Sequence, residues 1–285
     1  MSDSTIRLTG QGNTVVLTDS PEQLHRRPGG SGWGMAPVTN AWFEGAGDGD
    51  QFRGSRRTRR ELVIPVDVLG NSRQEVEDSL RQLVQIVRQP FLVHVDRDSG
   101  ESFYIPAVYE SGLEGVYSVA PEQWNQVNIV LKCGDPYWTS EAVQEFVVAP
   151  VPAPYPFVQR LAALPVASSA AFGQVTITNS GDVESRPTWT VKGPGTALTL
   201  NIGGDGLVLN RTLTASNIIT IRHNGIGWTI TDETGANQYP LLATAPSPVF
   251  PVIPPGTSVA TVALSNTDAT SYIRASYPER REVVY

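Results

Sequence analysis

The chain has 285 residues, 40% of them hydrophobic and only 17% charged, with 26 glycines, 22 prolines and a net charge of −7; this length predicts two domains of ~100–200 residues, with one large all-β domain as the alternative. The lone cysteine, Cys133, excludes an internal disulfide and a cysteine-rich zinc site, and the acidic balance argues against a surface given over to nucleic acid. No run of about 18 apolar residues exists, which excludes a membrane-spanning helix, and Met1–Ser4 lacks the basic and apolar regions of a secretory signal, so synthesis in the cytoplasm is expected.

In chain order, the first recognisable element is a hairpin. Thr5–Leu8 and Val15–Thr18 read as strands around Gly10-Gln11-Gly12-Asn13. Residues 28–54 are glycine-rich without a period and read as an irregular loop, in which Trp33, Trp42 and Phe43 are embedded. Loops of this length inside a domain commonly make contacts. Arg53, Arg56, Arg57, Arg59 and Arg60 then fall within eight residues. A phosphate-binding patch is one reading of them. In an acidic half of the chain, a charged segment entering a strand, or pairing with acids of a neighbouring subunit, is favoured.

Glu61–Leu69 is a strand, and a helix follows at once. Ser72 is placed as its N-cap, and Glu75 three residues on completes a capping box. Val76, Leu80, Leu83, Val84 and Val87 draw one apolar stripe. Arg73, Glu77, Asp78, Arg81 and Gln85 fall mostly on the other side, and Pro90 ends the helix. Strands are expected at Phe91–Asp96, Phe103–Val108, Leu113–Val119, Val127–Lys132 and Ala142–Val148, with a turn at Arg97–Glu101.

Ala149–Pro156 (APVPAPYP) holds four prolines in eight residues, which neither a helix nor a sheet interior accepts. It reads as a stiff linker between domains 1–148 and 157–285. The second part reads as all-β, with strands at Gln174–Thr178, Thr188–Lys192, Leu198–Ile202, Leu207–Leu209, Ile218–Arg222, Trp228–Thr231, Val259–Leu264 and Ser271–Tyr277. Turn signals such as Asp205-Gly206, Asn224-Gly225 and Pro255-Gly256 separate them, the spacing of a sandwich or jelly roll. The charge divides unevenly: residues 1–148 hold 20 acids and 13 bases, and residues 149–285 hold 8 of each.

Chemistry is hard to find. There is no phosphate-binding loop and no Gly-x-Ser-x-Gly elbow. His25, His94 and His223 have no second ligand at metal spacing, so no metal is assigned; His94 reads as an ordinary strand residue and the other two as surface residues. Asp96–Glu101 faintly resembles a calcium loop but lacks the third acid and the closing glutamate, and reads as a turn. No catalytic pair and no cofactor site emerge. Trp189, Trp228, Tyr239 and Tyr272 could stack on sugar, although core positions are favoured for them. Cys133 reads as a small buried hydrophobe.

Four features together resemble the distal tail protein family of long-tailed, non-contractile phages. A glycine-rich loop leads into Gly54–Gly70 (GSRRTRRELVIPVDVLG), and the helix Ser72–Arg88 follows immediately. Trp124–Trp138 (WNQVNIVLKCGDPYW) closes a strand with Asp-Pro-Tyr-Trp. In the second part, Val175–Arg186 (VTITNSGDVESR) precedes Pro187, and a late Pro255-Gly256 precedes a strand.

The resemblance implies a mainly β chain: an N-terminal tail-tube-like β-sandwich or split barrel with one flanking helix, and a C-terminal galectin-like β-sandwich. It implies a homo-hexameric ring that continues the tail tube and carries fibre, receptor-binding or other tail-associated proteins. The location would be the virion's tail tip, after synthesis in the host cytoplasm, with DNA only passing through the lumen. Such proteins are structural hubs and not enzymes. The expected subunit interface comprises Trp33, Trp42, Phe43, Arg53, Arg56, Arg57, Arg59 and Arg60; Trp189 and Trp228 are the candidates for carbohydrate or fibre contact. Competing readings are a carbohydrate-binding adhesin, a cell-wall hydrolase, and a nucleic-acid binder resting on Arg53–Arg60.

Overall fold

The computed structural model describes residues 4–18, 24–45, 47–114, 124–149, 170–245 and 247–284. The chain forms two compact units, Met1–Ala142 with Arg280–Tyr285, and Val143–Glu279. The proline-rich segment lies outside the described residues from position 150 onward, as does the strand expected at Leu113–Val119 after its first two residues, which are not strand.

In the first unit, β1 (Thr5–Gly10) and β2 (Asn13–Leu17) form the expected hairpin. Gln11 and Gly12 at its turn have φ of 52° and 78°, the left-handed pair whose twist matches that of the flanking strands. Next come β3 (Leu24–Arg26), β4 (Val38–Glu44), β5 (Asp50–Arg57), β6 (Arg60–Leu69) and α1 (Arg73–Val87). They are followed by β7 (Phe91–Asp96), β8 (Ser102–Ser111), β9 (Trp124–Cys133) and β10 (Trp138–Val148). The antiparallel order is β2-β1-β7-β8 on one side and β3-β6-β9 on the other. β8 serves both, pairing β7 along its first half and β9 at its end, where the register shifts between Tyr109 and Ser111. Alternate residues point inward along each strand, Ile6 and Leu8 on β1, Leu62, Ile64 and Val66 on β6, and Ile129 and Leu131 on β9, and they meet in one core.

The helix is built as its sequence dictates, with two adjustments. Ser72 Oγ accepts the Glu75 N–H at 3.3 Å. Glu75 Oε2 reaches back to the N–H of Asn71 at 2.8 Å, one residue before the cap. The buried face comprises Val76, Ser79, Leu83, Ile86 and Val87, with Leu80 packed at its margin. Val84 was expected in the stripe but is 40% exposed. At 3.6 residues per turn it lies about 100° from the centre of the buried face, whereas Ile86, left out of the expected stripe, falls on that face.

β10 carries the chain out of the first unit and β18 (Tyr272–Arg281) returns it. The second unit contains β11 (Ala170–Asn179), β12 (Thr188–Lys192), β13 (Gly195–Ile202), β14 (Asp205–Leu213), β15 (Ile218–His223), β16 (Trp228–Asp232) and β17 (Gly256–Ser265). Every strand expected here is present, most with longer ends. The orders β11-β17-β13-β14 and β16-β15-β12-β18 define two antiparallel sheets. Trp189, Val191, Ile219 and Ile221 from one meet Leu198, Leu200, Val262 and Leu264 from the other. The chain is mainly β, with one packed α-helix and a single 3-10 turn at Tyr239–Leu241 among the described residues.

Leu83→Ala should lower the unfolding free energy by about 2–5 kcal/mol, because it empties a fully buried position. Val84→Ala should change it by no more than about 0.5 kcal/mol. Urea unfolding of both variants measures the contrast; equal losses would mean that the helix is rotated from the face described.

Candidate interaction site: an exposed hairpin on a locked base

The stretch read from sequence as an irregular loop has two parts with opposite characters. Residues 30–36 form a strap laid along β6. Ser31 and Val63 exchange two backbone hydrogen bonds of 3.1 Å. Gly32 has φ +88° and lies so close to β6 that a Cβ there would meet the Glu61 carbonyl oxygen at 1.9 Å, so only glycine fits. Trp33 stacks on the fully buried Trp138, with ring centroids 5.7 Å apart. Val38–Glu44 and Asp50–Arg57 form an antiparallel hairpin, β4 against β5. The correction has a simple cause: this hairpin buries neither face, so its residues show no alternation of apolar and polar character.

Beneath the hairpin sits Arg60, which has no exposed surface. Its Nη1 donates to the carbonyl oxygens of Gly32 and Gly34, its Nε to that of Pro136 at 2.9 Å, and its Nη2 to that of Glu282 at 2.8 Å. Burial pulls its pKa down from the usual arginine value, yet guanidinium stays charged at neutral pH. Arg60 was expected at a subunit interface; the structure makes it an internal clamp, because four carbonyls of its own chain already use its donors. Arg57 is engaged likewise, donating from Nη2 to Glu282 Oε1 at 2.8 Å and from Nε at 3.0 Å. The last residues complete the lock. Arg280 pairs with both oxygens of Asp135 at 2.7 and 2.6 Å, and Val284 is buried in the first unit's core.

Above this base the hairpin is exposed. Trp42 is 57% and Phe52 56% accessible, and Phe43 is similar. Trp42 and Phe52 are cross-strand partners in edge-to-face contact, with centroids 5.3 Å apart. Arg53 is the extra residue of a bulge between the Ala41–Gly54 and Trp42–Phe52 pairs. Its guanidinium lies 4.7 Å from the centre of the Phe43 ring. Arg56 and Arg59 are exposed along the stem, while Glu44, Asp48 and Asp50 stand at the tip. Of the eight residues expected to form one interface, the hairpin and stem bring together Trp42, Phe43, Arg53, Arg56 and Arg59. Trp33, Arg57 and Arg60 belong to the base. Phe52 was missed; Asp48-Gly49 between two aromatic-bearing segments is the hairpin signal that could have found it.

A second polar cluster lies across β1, β7, β8 and β10. Arg7 donates to both oxygens of Asp96 at 3.0 and 3.1 Å and to Glu141 at 3.2 Å. His94 is buried, with Nδ1 2.5 Å from Glu141 Oε1, and stands opposite Tyr104 in the strand register. Burial above all, then the charge of Arg7, holds the imidazole below its usual range, against the pull of Glu141. The hydrogen bond from Arg7, helped by Ser102, holds Asp96 below the usual carboxylate range. Burial pushes the Cys133 thiol up to about 12, so it stays protonated and unreactive. The Arg97–Glu101 segment is a turn closed by the Arg97 N–H on the Glu101 carbonyl at 2.9 Å. Among the described residues no group of three or more His, Cys, Asp or Glu side chains is arranged to hold a metal.

In the second unit, Trp189 has no exposed surface and is a core residue. It offers no face to an external sugar or fibre, which corrects its expected contact role. Trp228 is partly buried. Phe250 stacks on it at 5.0 Å and 7°, and His223 meets it edge-on at 5.5 Å.

No protein-family model and no curated protein sequence matches this chain. Solved structures do match it. The Dit protein of phage SPP1, described as a paradigm of hub adsorption apparatus in phages infecting Gram-positive hosts, aligns with a TM-score of 0.65 at 14% identity. The alignment covers 96% of this chain and 98% of that one. A chain of the phage P2 baseplate in its activated conformation with calcium aligns with a TM-score of 0.56 at 12% identity, and one from the same baseplate in its activated conformation with strontium with 0.52 at 12%. Both alignments cover 100% of both chains. The likeness to distal tail proteins read from the sequence is met in the fold.

Arg60→Met should destabilise the first unit by on the order of 3–5 kcal/mol, since four carbonyls gathered round a buried position lose their donor; chemical denaturation measures it, and a loss under about 1 kcal/mol would contradict the clamp. The His94 cluster gives a pH prediction. Because the folded-state pKa of His94 is lowered, the unfolded chain binds its proton more readily. The associated stability is therefore present above about pH 6.5 and is lost as pH falls through the unfolded value. His94→Gln should flatten the stability profile below about pH 6.5, leaving a separate acid step from Asp96 at lower pH. An unchanged profile would show that the imidazole does not titrate differently on folding.

Proposed function

We propose that this chain is a structural hub of a phage tail. It forms a homo-hexameric ring at the distal end, joining the tail tube to baseplate, fibre or receptor-binding components. The observation that carries this reading is the end-to-end likeness in fold to the SPP1 Dit protein, at a TM-score of 0.65. The role is architectural, without cofactor, catalytic residues or membrane insertion. DNA is only a passenger through the lumen, and the acidic excess of residues 1–148 would repel it from the wall.

The hairpin β4–β5 is assigned to the contact between subunits. An isolated two-stranded hairpin is marginally stable in water. Exposed Trp42, Phe43 and Phe52 are of the kind enriched at interface centres. Acids at the tip and arginines on the stem make the arm dipolar, which suits head-to-tail contact between identical subunits. The second unit is assigned to the attachment of outer tail components.

The test is assembly. Native mass spectrometry and electron microscopy of the purified protein, alone and with the tail tube protein, should reveal six-fold rings. Trp42→Asp with Phe52→Asp should abolish them while leaving the unfolding midpoint within a few degrees. Rings that persist in the double variant would remove the hairpin from the interface. A monomer at every concentration, with the tube protein also present, would overturn the hub reading.

A further inference from the structure

The turn joining β15 to β16 holds a second exposed apolar feature, and it is rigid. Asn224 Oδ1 accepts the N–H groups of Ile226 at 3.1 Å and Gly227 at 2.9 Å. The Asn224 N–H donates to the Gly227 carbonyl at 3.0 Å, and the Gly225 N–H to His223 Nδ1 at 3.1 Å. Gly225 has φ +94°, which the turn requires and other residues resist. Four hydrogen bonds within five residues thus hold one branched aliphatic side chain, Ile226, 97% exposed. Single exposed hydrophobics are ordinary on protein surfaces. One lifted almost wholly into solvent on a turn so over-determined is less easily explained by folding, because a polar residue would fit the same turn.

The turn stands on an aromatic stack. Trp228 lies two residues on, with Phe250 stacked against it and Tyr239 tilted on Phe250 at 5.8 Å. Tyr239, Leu241 and Val249 are themselves exposed. The margin is basic: Arg186 Nη1 lies 3.4 Å from His223 Nδ1, and Arg222 is exposed at the base of the turn.

The geometry points to a protein-docking surface centred on Ile226, for a partner that offers an apolar socket flanked by carboxylates. A sugar is disfavoured by the same observations. Stacking on sugar needs an open flat ring face, and Trp228 gives one face to Phe250 while His223 packs edge-on against it. A side chain with no hydrogen-bonding group standing proud of the surface also matches the socket of a protein better than a hydroxylated ring. The basic margin would steer and orient an acidic partner, and its contribution would fade with salt.

The choice of probes rests on the hub reading. Each of the other tail proteins of the virion that encodes this chain is purified and tested for binding by biolayer interferometry, in parallel with a glycan array. One of those proteins should bind. Ile226→Asp should weaken that binding at least 30-fold, and Arg222→Glu several-fold, with the wild-type affinity falling as salt rises. Neither variant should alter the unfolding midpoint or ring formation. Binding by no tail protein, or equal binding by Ile226→Asp, would overturn the inference, as would binding to glycans alone. Ring formation in the same preparations separates the two readings, since rings with indifferent Ile226 leave the hub intact and refute only the docking surface.

Discussion

The exposed hairpin of the first unit is rooted on four carbonyl groups that converge on the buried guanidinium of Arg60. They come from positions 32, 34, 136 and 282, so one side chain ties together the glycine strap, the Asp-Pro-Tyr turn and the last residues of the chain. A buried cation is costly unless its hydrogen bonds are satisfied. Here four of its five N–H donors are matched to carbonyls of its own chain, so displacing any of these segments would leave a donor unmet. The same clamp explains why the C-terminal segment belongs to the first unit, although nearly 140 residues of the second precede it.

This base separates the stability of the unit from the association proposed for its hairpin. The strap, Trp33 and Arg57 are fixed by contacts within the unit, so the hairpin above need not contribute to the core to be held at its root. Its aromatic residues are then free to answer to a different demand. The distinction matters for perturbation: removing residues from position 30 onward would delete the carbonyls that satisfy Arg60, and a failure to assemble would then be confounded with misfolding. Point changes at Trp42 and Phe52 do not share that defect, because neither touches the base.

What was legible in the sequence followed the physics of burial. Strands with one buried face alternate, and Phe91–Asp96 and Thr188–Lys192 came out with both ends correct. The helix was legible from its cap and its period, and the error at Val84 against Ile86 arose because a run of apolar residues at 83, 84, 86 and 87 is wider than the face it packs on. The β4–β5 hairpin was not legible as strand because alternation records burial, and this element buries nothing within the chain. Nor was the division of the arginine run. Arg59 is exposed and Arg60 buried, and what distinguishes them is a set of backbone carbonyls, which no side-chain motif encodes. Trp189 and Trp228 likewise look alike in sequence, yet one plugs the sandwich core and the other supports a surface stack.

The two units solve one problem in the same way. A protein that must associate needs apolar surface that does not collapse onto its own core, and a chain with only 17% charged residues has few charges with which to keep that surface apart. Each unit presents part of it on a hairpin whose backbone is fixed independently. Arg60 and its carbonyls hold the root of one, and Asn224 with its turn hydrogen bonds holds the tip of the other. Rigid presentation lowers the entropy lost on binding, and it fixes where Trp42, Phe52 and Ile226, the most exposed aromatic and aliphatic groups of these hairpins, meet solvent. On the proposed hub reading, the low charge content and these rigid apolar hairpins answer one demand, which is surface kept for neighbours.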